Sequence, residues 1–302
     1  MQRLLWRGLA SACAAVVLAA CTQTVQPGGE SADPAAESAT AAADAAARLD
    51  AVLADPRRDG DRARDGWRHP KETLAFFGVA PDMTVAEVYP GGGWYARILA
   101  PYVGAEGGYL AVDYSRTTHE RLAGARSAAS ISSAPATLAA QYADTVRGYA
   151  GADANILGGV AFDDLPEALY GSVDAVLFVR SLHNFERTRT LNGALAETYA
   201  LMRPGGVVGV VQHRAPAGAP DLYVNGSKGY MREDDVIAAF VRAGFMFEEA
   251  SEINANPADP ANWVNGVWTL PPELGLGELD RDEYEAIGES DRMTLRFRKP
   301  AG

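Results

Sequence analysis

The sequence predicts an α/β fold, a seven-stranded mixed sheet that is mainly parallel and ends on an antiparallel strand. Three observations predict it. From about Asp55 onward, apolar strand-like runs alternate with helical stretches, the pattern of a parallel sheet covered on both faces. A glycine triplet, Gly91 to Gly93, stands where the first strand gives way to a helix. The last run, Met293 to Arg298, alternates apolar and polar residues and is reached without a crossover helix, so it must pair antiparallel with its neighbour.

The elements follow in order. Lys71 to Phe77 reads as a short amphipathic helix stopped at Gly78, and Thr84 to Tyr89 as the first strand. After the glycine turn come a helix from about Trp94 to Tyr102 and a second strand, Gly108 to Asp113. Arg116 to about Tyr149 is helical in composition with an interruption at Ser130 to Pro135. Asn155 to Phe162 holds a weakly apolar third strand, and Val173 to Val179 is a continuous buried one. A helix around Arg189 to Met202 leads through the turn Arg203-Pro204-Gly205-Gly206 to the strand Val207 to Gln212. Glu233 to Ala243 has helical amphipathic spacing, and Phe245 to Ile253 reads as a strand.

The run Val85-Ala86-Glu87-Val88-Tyr89-Pro90-Gly91-Gly92-Gly93-Trp94-Tyr95 carries the strongest chemical signal. Glycines at a strand-to-helix turn let the chain turn sharply and bring backbone amides close to a ligand, and the helix N-terminus favours electron-rich groups. Gly91, Gly93 and Ala96 also fit G-x-G-x-x-A, with Asp113 lying 20 residues beyond Gly93, the spacing of a nicotinamide site. Against that reading stand Glu87, an acid where a nicotinamide site brings phosphate, and the terminal antiparallel strand. A zwitterionic amino-acid ligand, by contrast, can use an acid near its ammonium group.

The same run resembles motif I of the class I methyltransferases, with Glu87 in the acid position and Gly91 and Gly93 in the later glycine positions, while Tyr89 departs from the family's first glycine. Asp113, ending Gly108-Tyr109-Leu110-Ala111-Val112-Asp113, matches the acid that binds the ribose hydroxyls in that superfamily. Asp164-Leu165-Pro166, Val173 to Val179, Leu182-His183-Asn184 and Arg203-Pro204-Gly205-Gly206 resemble its fourth-strand and fifth-strand regions. Asp163 and Asp164 are the candidates for the acid that flanks adenine, although neither has the usual offset. Segments such as Arg68-His69-Pro70-Lys71-Glu72-Thr73-Leu74-Ala75-Phe76-Phe77-Gly78, Gly229-Tyr230-Met231-Arg232-Glu233 and Val267-Trp268-Thr269-Leu270-Pro271-Pro272 resemble a group of exported bacterial proteins described as predicted methyltransferases. The resemblance implies a Rossmann-like class I methyltransferase fold and S-adenosylmethionine as cofactor.

His183 follows the fourth strand and His213 the fifth, at the sheet edge where open α/β folds bind ligands. Each is a candidate general base, because imidazole titrates near neutrality, and each could equally be a core or capping residue. Their spacing matches no metal motif. Arg62, Asp65, Arg68 and His69 read as a lid or clamp, or as a solvated charged helix. Asn254 to Pro272, with Trp263 and Trp268, reads as an insertion that walls a pocket or packs on the sheet edge.

The N-terminus has a secretory layout: Arg3 and Arg7, an apolar stretch from Gly8 to Ala20, then Cys21. Leu18-Ala19-Ala20-Cys21 resembles the lipobox of bacterial lipoproteins, which implies a signal peptide over 1–20, a lipid on Cys21, a flexible tether over 21–54 and a methyltransferase-like domain over 55–302. The only other cysteine, Cys13, would be removed with the signal, excluding disulfides and thiol chemistry from the mature chain. Loss of Arg3 and Arg7 leaves 25 basic against 39 acidic residues, taking the formal charge from −12 to −14. That charge disfavours nucleic acid, and the expected membrane attachment is through the lipid only.

Two functions follow. One is an S-adenosylmethionine-dependent methyltransferase acting on a small molecule in the cell envelope, facing the periplasm. The other is a non-catalytic envelope lipoprotein that keeps the fold and binds a ligand or partner. A nicotinamide oxidoreductase rests on the glycine spacing alone.

Overall fold

The computed structural model describes residues 34–124, 135–151 and 154–302. The expected signal segment, Cys21 and the expected tether as far as Asp33 lie outside the described residues. The chain divides into two compact units, Met1–Thr40 and Ala41–Gly302. Of the first, the described residues begin the helix Pro34–Leu53. No helix among the described residues is long and apolar enough to cross a membrane.

The second unit is built on seven strands: β1 (Thr84–Val88), β2 (Gly108–Asp113), β3 (Ile156–Ala161), β4 (Val173–Val179), β5 (Met202–His213), β6 (Met246–Ser251) and β7 (Arg292–Arg298). They lie in the order β3-β2-β1-β4-β5-β7-β6. β1 to β5 are parallel, and β7 runs antiparallel between β5 and β6, with Val210 opposite Leu295 on one side and Ala250 opposite Leu295 on the other. This seven-stranded mixed sheet with its antiparallel β7 is the Rossmann-like fold of class I methyltransferases. The chain runs outward from β1 to β3 and then returns to β4 on the other side of β1. Adjacent strands β1 and β4 therefore flank the topological switch point, where open α/β sheets form their ligand crevice.

Alternation along the strands feeds two cores. On β1, Val85 packs into one apolar layer with the helices Pro70–Phe77 and Ala96–Val103, while Ala86 and Val88 pack into the other with the helices Leu191–Leu201 and Glu233–Arg242. Gly209 of β5 is needed where Phe77 crosses the sheet: a Cβ there would lie 2.5 Å from the Phe77 ring.

Three features differ from the sequence reading. The helix expected around Arg189 to Met202 runs Leu191–Leu201, and a second helix that the sequence reading did not expect, Leu182–Thr188, precedes it, the two separated where Arg189 takes the left-handed conformation at φ 54°. β5 starts at Met202, so the Arg203 to Gly206 turn lies inside the strand as an irregularity in its pairing with β4. The helix ending at Leu53 belongs to the core rather than to the tether, because Leu49 is buried in the layer of Leu99 and Tyr102 and Arg48 pairs with Glu106 at 2.9 Å. The packed unit thus reaches back to Ala41, ahead of the Asp55 boundary expected from the sequence.

Candidate functional site

At the switch point the ends of β1, β4 and β5 open into a cavity of about 430 Å³, a size that suits a small organic ligand. Its first arm is built by β1 and the turn after it. Gly91 and Gly92 form the wall, and Gly91 sits at φ 56°, a conformation glycine adopts without strain. Gly93, at φ 76°, leaves room for Arg97 and Tyr149, which a Cβ would approach to 3.2 and 3.1 Å. Arg97 is held by both oxygens of Asp61, at 2.5 and 2.7 Å.

Glu87 also lines this arm, and its carboxylate accepts a hydrogen bond from the Tyr109 hydroxyl at 2.7 Å. Burial pushes the Glu87 pKa up to about 7, against the smaller opposing effects of Tyr109 and Arg97. It is therefore the group in the cavity poised to exchange a proton near neutrality.

Tyr89 closes the cavity on the side of β2. It takes the left-handed conformation at φ 55°, which costs a non-glycine residue about 1–2 kcal/mol. Its ring stacks on Tyr114 with centroids 4.2 Å apart and meets Tyr142 edge-on at 6.2 Å. Asp113, next to Tyr114, is fully buried and does not line the cavity. One of its oxygens accepts from the Tyr114 amide at 2.7 Å and meets His119 Nε2 at 3.1 Å, while the other is buried without a partner. An acceptor oxygen without a donor fits a ribose hydroxyl in chemistry, but it is buried outside the cavity lining, beside the Tyr114 ring on which Tyr89 stacks. Asp163 and Asp164 are exposed and outside the cavity, and Asp163 accepts from the Arg116 amide at 2.8 Å.

The second arm lies at the ends of β4 and β5. It brings together His183 and His213, 5.7 Å apart between ring centroids, and Trp268 packs edge-on against His183 at 6.0 Å. His213 Nδ1 lies 2.6 Å from the Ser290 hydroxyl, and His183 Nδ1 is buried without a partner. Neither histidine titrates near neutrality as the sequence reading expected. Burial first, then the Arg187 charge, pushes His183 down to about 3, and burial together with His183 holds His213 well below the usual range. Both are neutral imidazoles, able to orient a ligand by hydrogen bonding but weak as bases.

The segment read as a lid or clamp contributes differently residue by residue. Arg68 is buried in the cavity wall, bound to Glu289 at 2.8 to 3.0 Å and lying over Trp94 at 4.7 Å. Asp65 is used by Arg58 at 2.7 Å, Arg62 pairs with Asp59 at 2.6 Å, and His69 turns the chain at φ 38°. Of the two roles expected of the insertion, the structure shows it walling the cavity. Trp268 and the Pro271–Pro272 pair wall the cavity, while Trp263 packs in a satellite cluster and donates to Asp259 at 2.9 Å.

Sequence reasoning missed Arg180, Glu289 and Ser290. Arg180 had a legible signal, a lone charge directly after the apolar run Val173 to Val179. Glu289 and Ser290 belong to no motif and reach the cavity only because β7 lies beside β5.

Among solved structures the chain is similar to the [4+2]-cyclase SpnF, with a TM-score of 0.50 and 16% identity over 78% of this chain and 81% of that one. It is also similar to a geranyl diphosphate methyltransferase in complex with SAM, with a TM-score of 0.48 and 16% identity over 82% and 94% of the two chains. A SAM-dependent methyltransferase from Aquifex aeolicus gives a TM-score of 0.46 and 15% identity over 84% and 97%. At such identities the likeness to the cyclase shows the fold alone, and the two lower scores add no argument. No protein-family model matches the chain, and no curated protein matches it in sequence.

Proposed function

We propose that this chain is an S-adenosylmethionine-dependent methyltransferase that acts on a small molecule in the cell envelope, held there by a lipid on Cys21. The observation that carries the reading is that the glycine turn and Glu87 share one cavity with His183 and His213 at the switch point. Glu87 would face the ammonium end of the cofactor, the turn amides and the helix behind them its carboxylate, and Asp113 its ribose. S-adenosylmethionine supplies, when bound, an electrophilic methyl group on a sulfonium. The two neutral imidazoles would orient the acceptor by hydrogen bonds, and Trp268 and the Pro271–Pro272 wall would exclude water. With His183 near pKa 3 and Glu87 engaged by the ammonium end of the cofactor, the acceptor would have to arrive already unprotonated.

For a ribose to reach Asp113, Tyr89, which lines the cavity and stacks on Tyr114 beside it, would have to swing away. An aromatic pair contributes about 0.5–1.5 kcal/mol beyond its buried area, so swinging Tyr89 off Tyr114 costs about two- to tenfold in binding rather than excluding the cofactor. The same stack is the specific observation that favours the second reading, a non-catalytic or differently catalytic protein of this fold. The cyclase neighbour makes the same point, since a fold does not assign a chemistry. Calorimetric titration with S-adenosylmethionine and its demethylated product, on the wild type and on Tyr89→Gly, separates the two. The methyltransferase reading expects binding in both, about two- to tenfold tighter in Tyr89→Gly. Absence of binding in both leaves the second reading in place.

A further inference from the structure

The second arm of the cavity holds more positive charge than the protein neutralises. Arg180 directly follows β4 with a left-handed backbone at φ 53°, and its partly buried side chain lines the cavity without a hydrogen bond or ion pair among the described residues. The charges closest to it in effect are Arg68, Glu289, Arg292 and Arg64, three cations and one carboxylate. That carboxylate is already committed: Glu289 takes Arg68 through Nε and Nη2 at 2.8 to 3.0 Å and Arg292 through Nη1 at 2.8 Å. The Arg64 side chain lines the cavity and is likewise unpartnered among the described residues, and the other lining carboxylate on this side, the exposed Glu273, is not among the charges that act on Arg180. The neighbouring histidines are neutral and cannot balance the excess.

A partly desolvated guanidinium crowded by like charges is unfavourable unless something anionic pairs with it. Burial, and then the Arg68 charge, already works against the Arg180 cation. In a chain whose formal charge is −12, a positive wall is not a by-product of composition. The planar guanidinium fork matches oxyanions in particular, since two N–H groups can meet two oxygens. On the glycine-turn side, the cation acting on Glu87 is Arg97, which Asp61 holds.

We propose that Arg180, seconded by Arg64, binds an oxyanion group, a carboxylate or a phosphate, on the acceptor molecule. The inference deepens the methyltransferase reading by naming the substrate class, and it rests on that reading only in calling the ligand the acceptor. The test is calorimetric titration with inorganic phosphate and, separately, acetate, at constant ionic strength set with chloride, with and without saturating S-adenosylmethionine. At least one probe should bind saturably, and the better of the two identifies the oxyanion. Arg180→Gln should weaken it at least tenfold and Arg64→Gln by a smaller factor. The probe should raise the melting temperature of the wild type but not of Arg180→Gln, whose unliganded form should melt no lower than the wild type because a crowded charge has been removed. The proposal is overturned if neither probe binds, if Arg180→Gln binds as the wild type does, or if S-adenosylmethionine competes with the oxyanion, which would make Arg180 a contact of the cofactor. Oxyanion binding without S-adenosylmethionine binding keeps the site and sinks the methyltransferase reading. The reverse result sinks the site alone.

Discussion

Glu87 is the residue whose physics is easiest to isolate. Its carboxyl has an ordinary pKa of 4.5 when exposed and about 7 in the folded protein, chiefly because burial disfavours the anion. Between those values the folded state binds more protons than the unfolded one, so this group's effect is a loss of stability as the pH rises from about 4.5 to 7. The full loss is about 3 kcal/mol. Glu87→Gln removes the ionisation and keeps an acceptor for the Tyr109 hydroxyl. Thermal melts should therefore find the variant and the wild type similar near pH 4.5, and the variant several degrees more stable at pH 8. A constant difference across that range would mean that Glu87 is ionised throughout. Of the residues singled out by sequence, Glu87, Gly91, His183 and His213 were legible as cavity residues because each sits at or beside the end of a central strand. Asp113 was legible as a strand end, but its burial was not, since its carboxylate turns to the Tyr114 amide and His119 rather than into the cavity. Asp163 and Asp164 stand beyond the end of β3, away from the switch point. The suppressed basicity of the histidines was equally hidden, because it arises from the walls that β7 and the insertion place around them.

At the level of elements, strands that read as continuous apolar runs were found where expected: β2 and β4 have the bounds Gly108–Asp113 and Val173–Val179 that the sequence suggested. Both are central enough to be covered on both faces, so hydrophobicity alone marks their ends. Where backbone conformation decides, the sequence was mute. Arg189 and Gly205 both take positive φ, yet one breaks a helix and the other lies within a strand. The helix Pro34–Leu53 is the instructive case. Its Ala-rich composition looks like a spacer, but Leu49, Val52 and Leu53 lie on the face that meets the core layer of Leu99, Tyr102 and Val103. Burial of one leucine is worth about 1.5–3 kcal/mol, and Arg48 and Lys71 add ion pairs to Glu106 and Asp50 whose exposure limits them to less than about 1 kcal/mol each. A chain starting at Ala41 should therefore melt with the full-length protein. A chain starting at Asp55 should melt roughly 5–10 °C lower, as follows from a loss of a few kcal/mol in a domain of this size. Equal melting of the two truncated chains would show that the helix contributes nothing to the fold.

At the scale of the whole molecule the question is how an acidic protein would be kept at a membrane. With a formal charge of −12, or −14 once Arg3 and Arg7 are removed with a signal, the chain is repelled by anionic lipid surfaces. Electrostatics then cannot supply an attachment, and on the proposed reading a lipid on Cys21 does. Each buried CH₂ of an acyl chain contributes about 0.8 kcal/mol, and stable anchoring takes more than one chain or a basic patch beside a single one. The acidic tether between Cys21 and the packed unit offers no such patch, so the expected modification of Cys21 carries several acyl chains. The reading predicts that cells grown with a radiolabelled fatty acid label this protein, that the labelled protein sediments with membranes, and that raising the salt does not release it, because no ion pairing holds it there. Cys21→Ser should lose the label and move to the soluble fraction of the cell extract. A Cys21→Ser protein that keeps its label or still sediments would place the attachment elsewhere in the chain. An anchored wild type that high salt releases would mean that charge, rather than lipid, holds it.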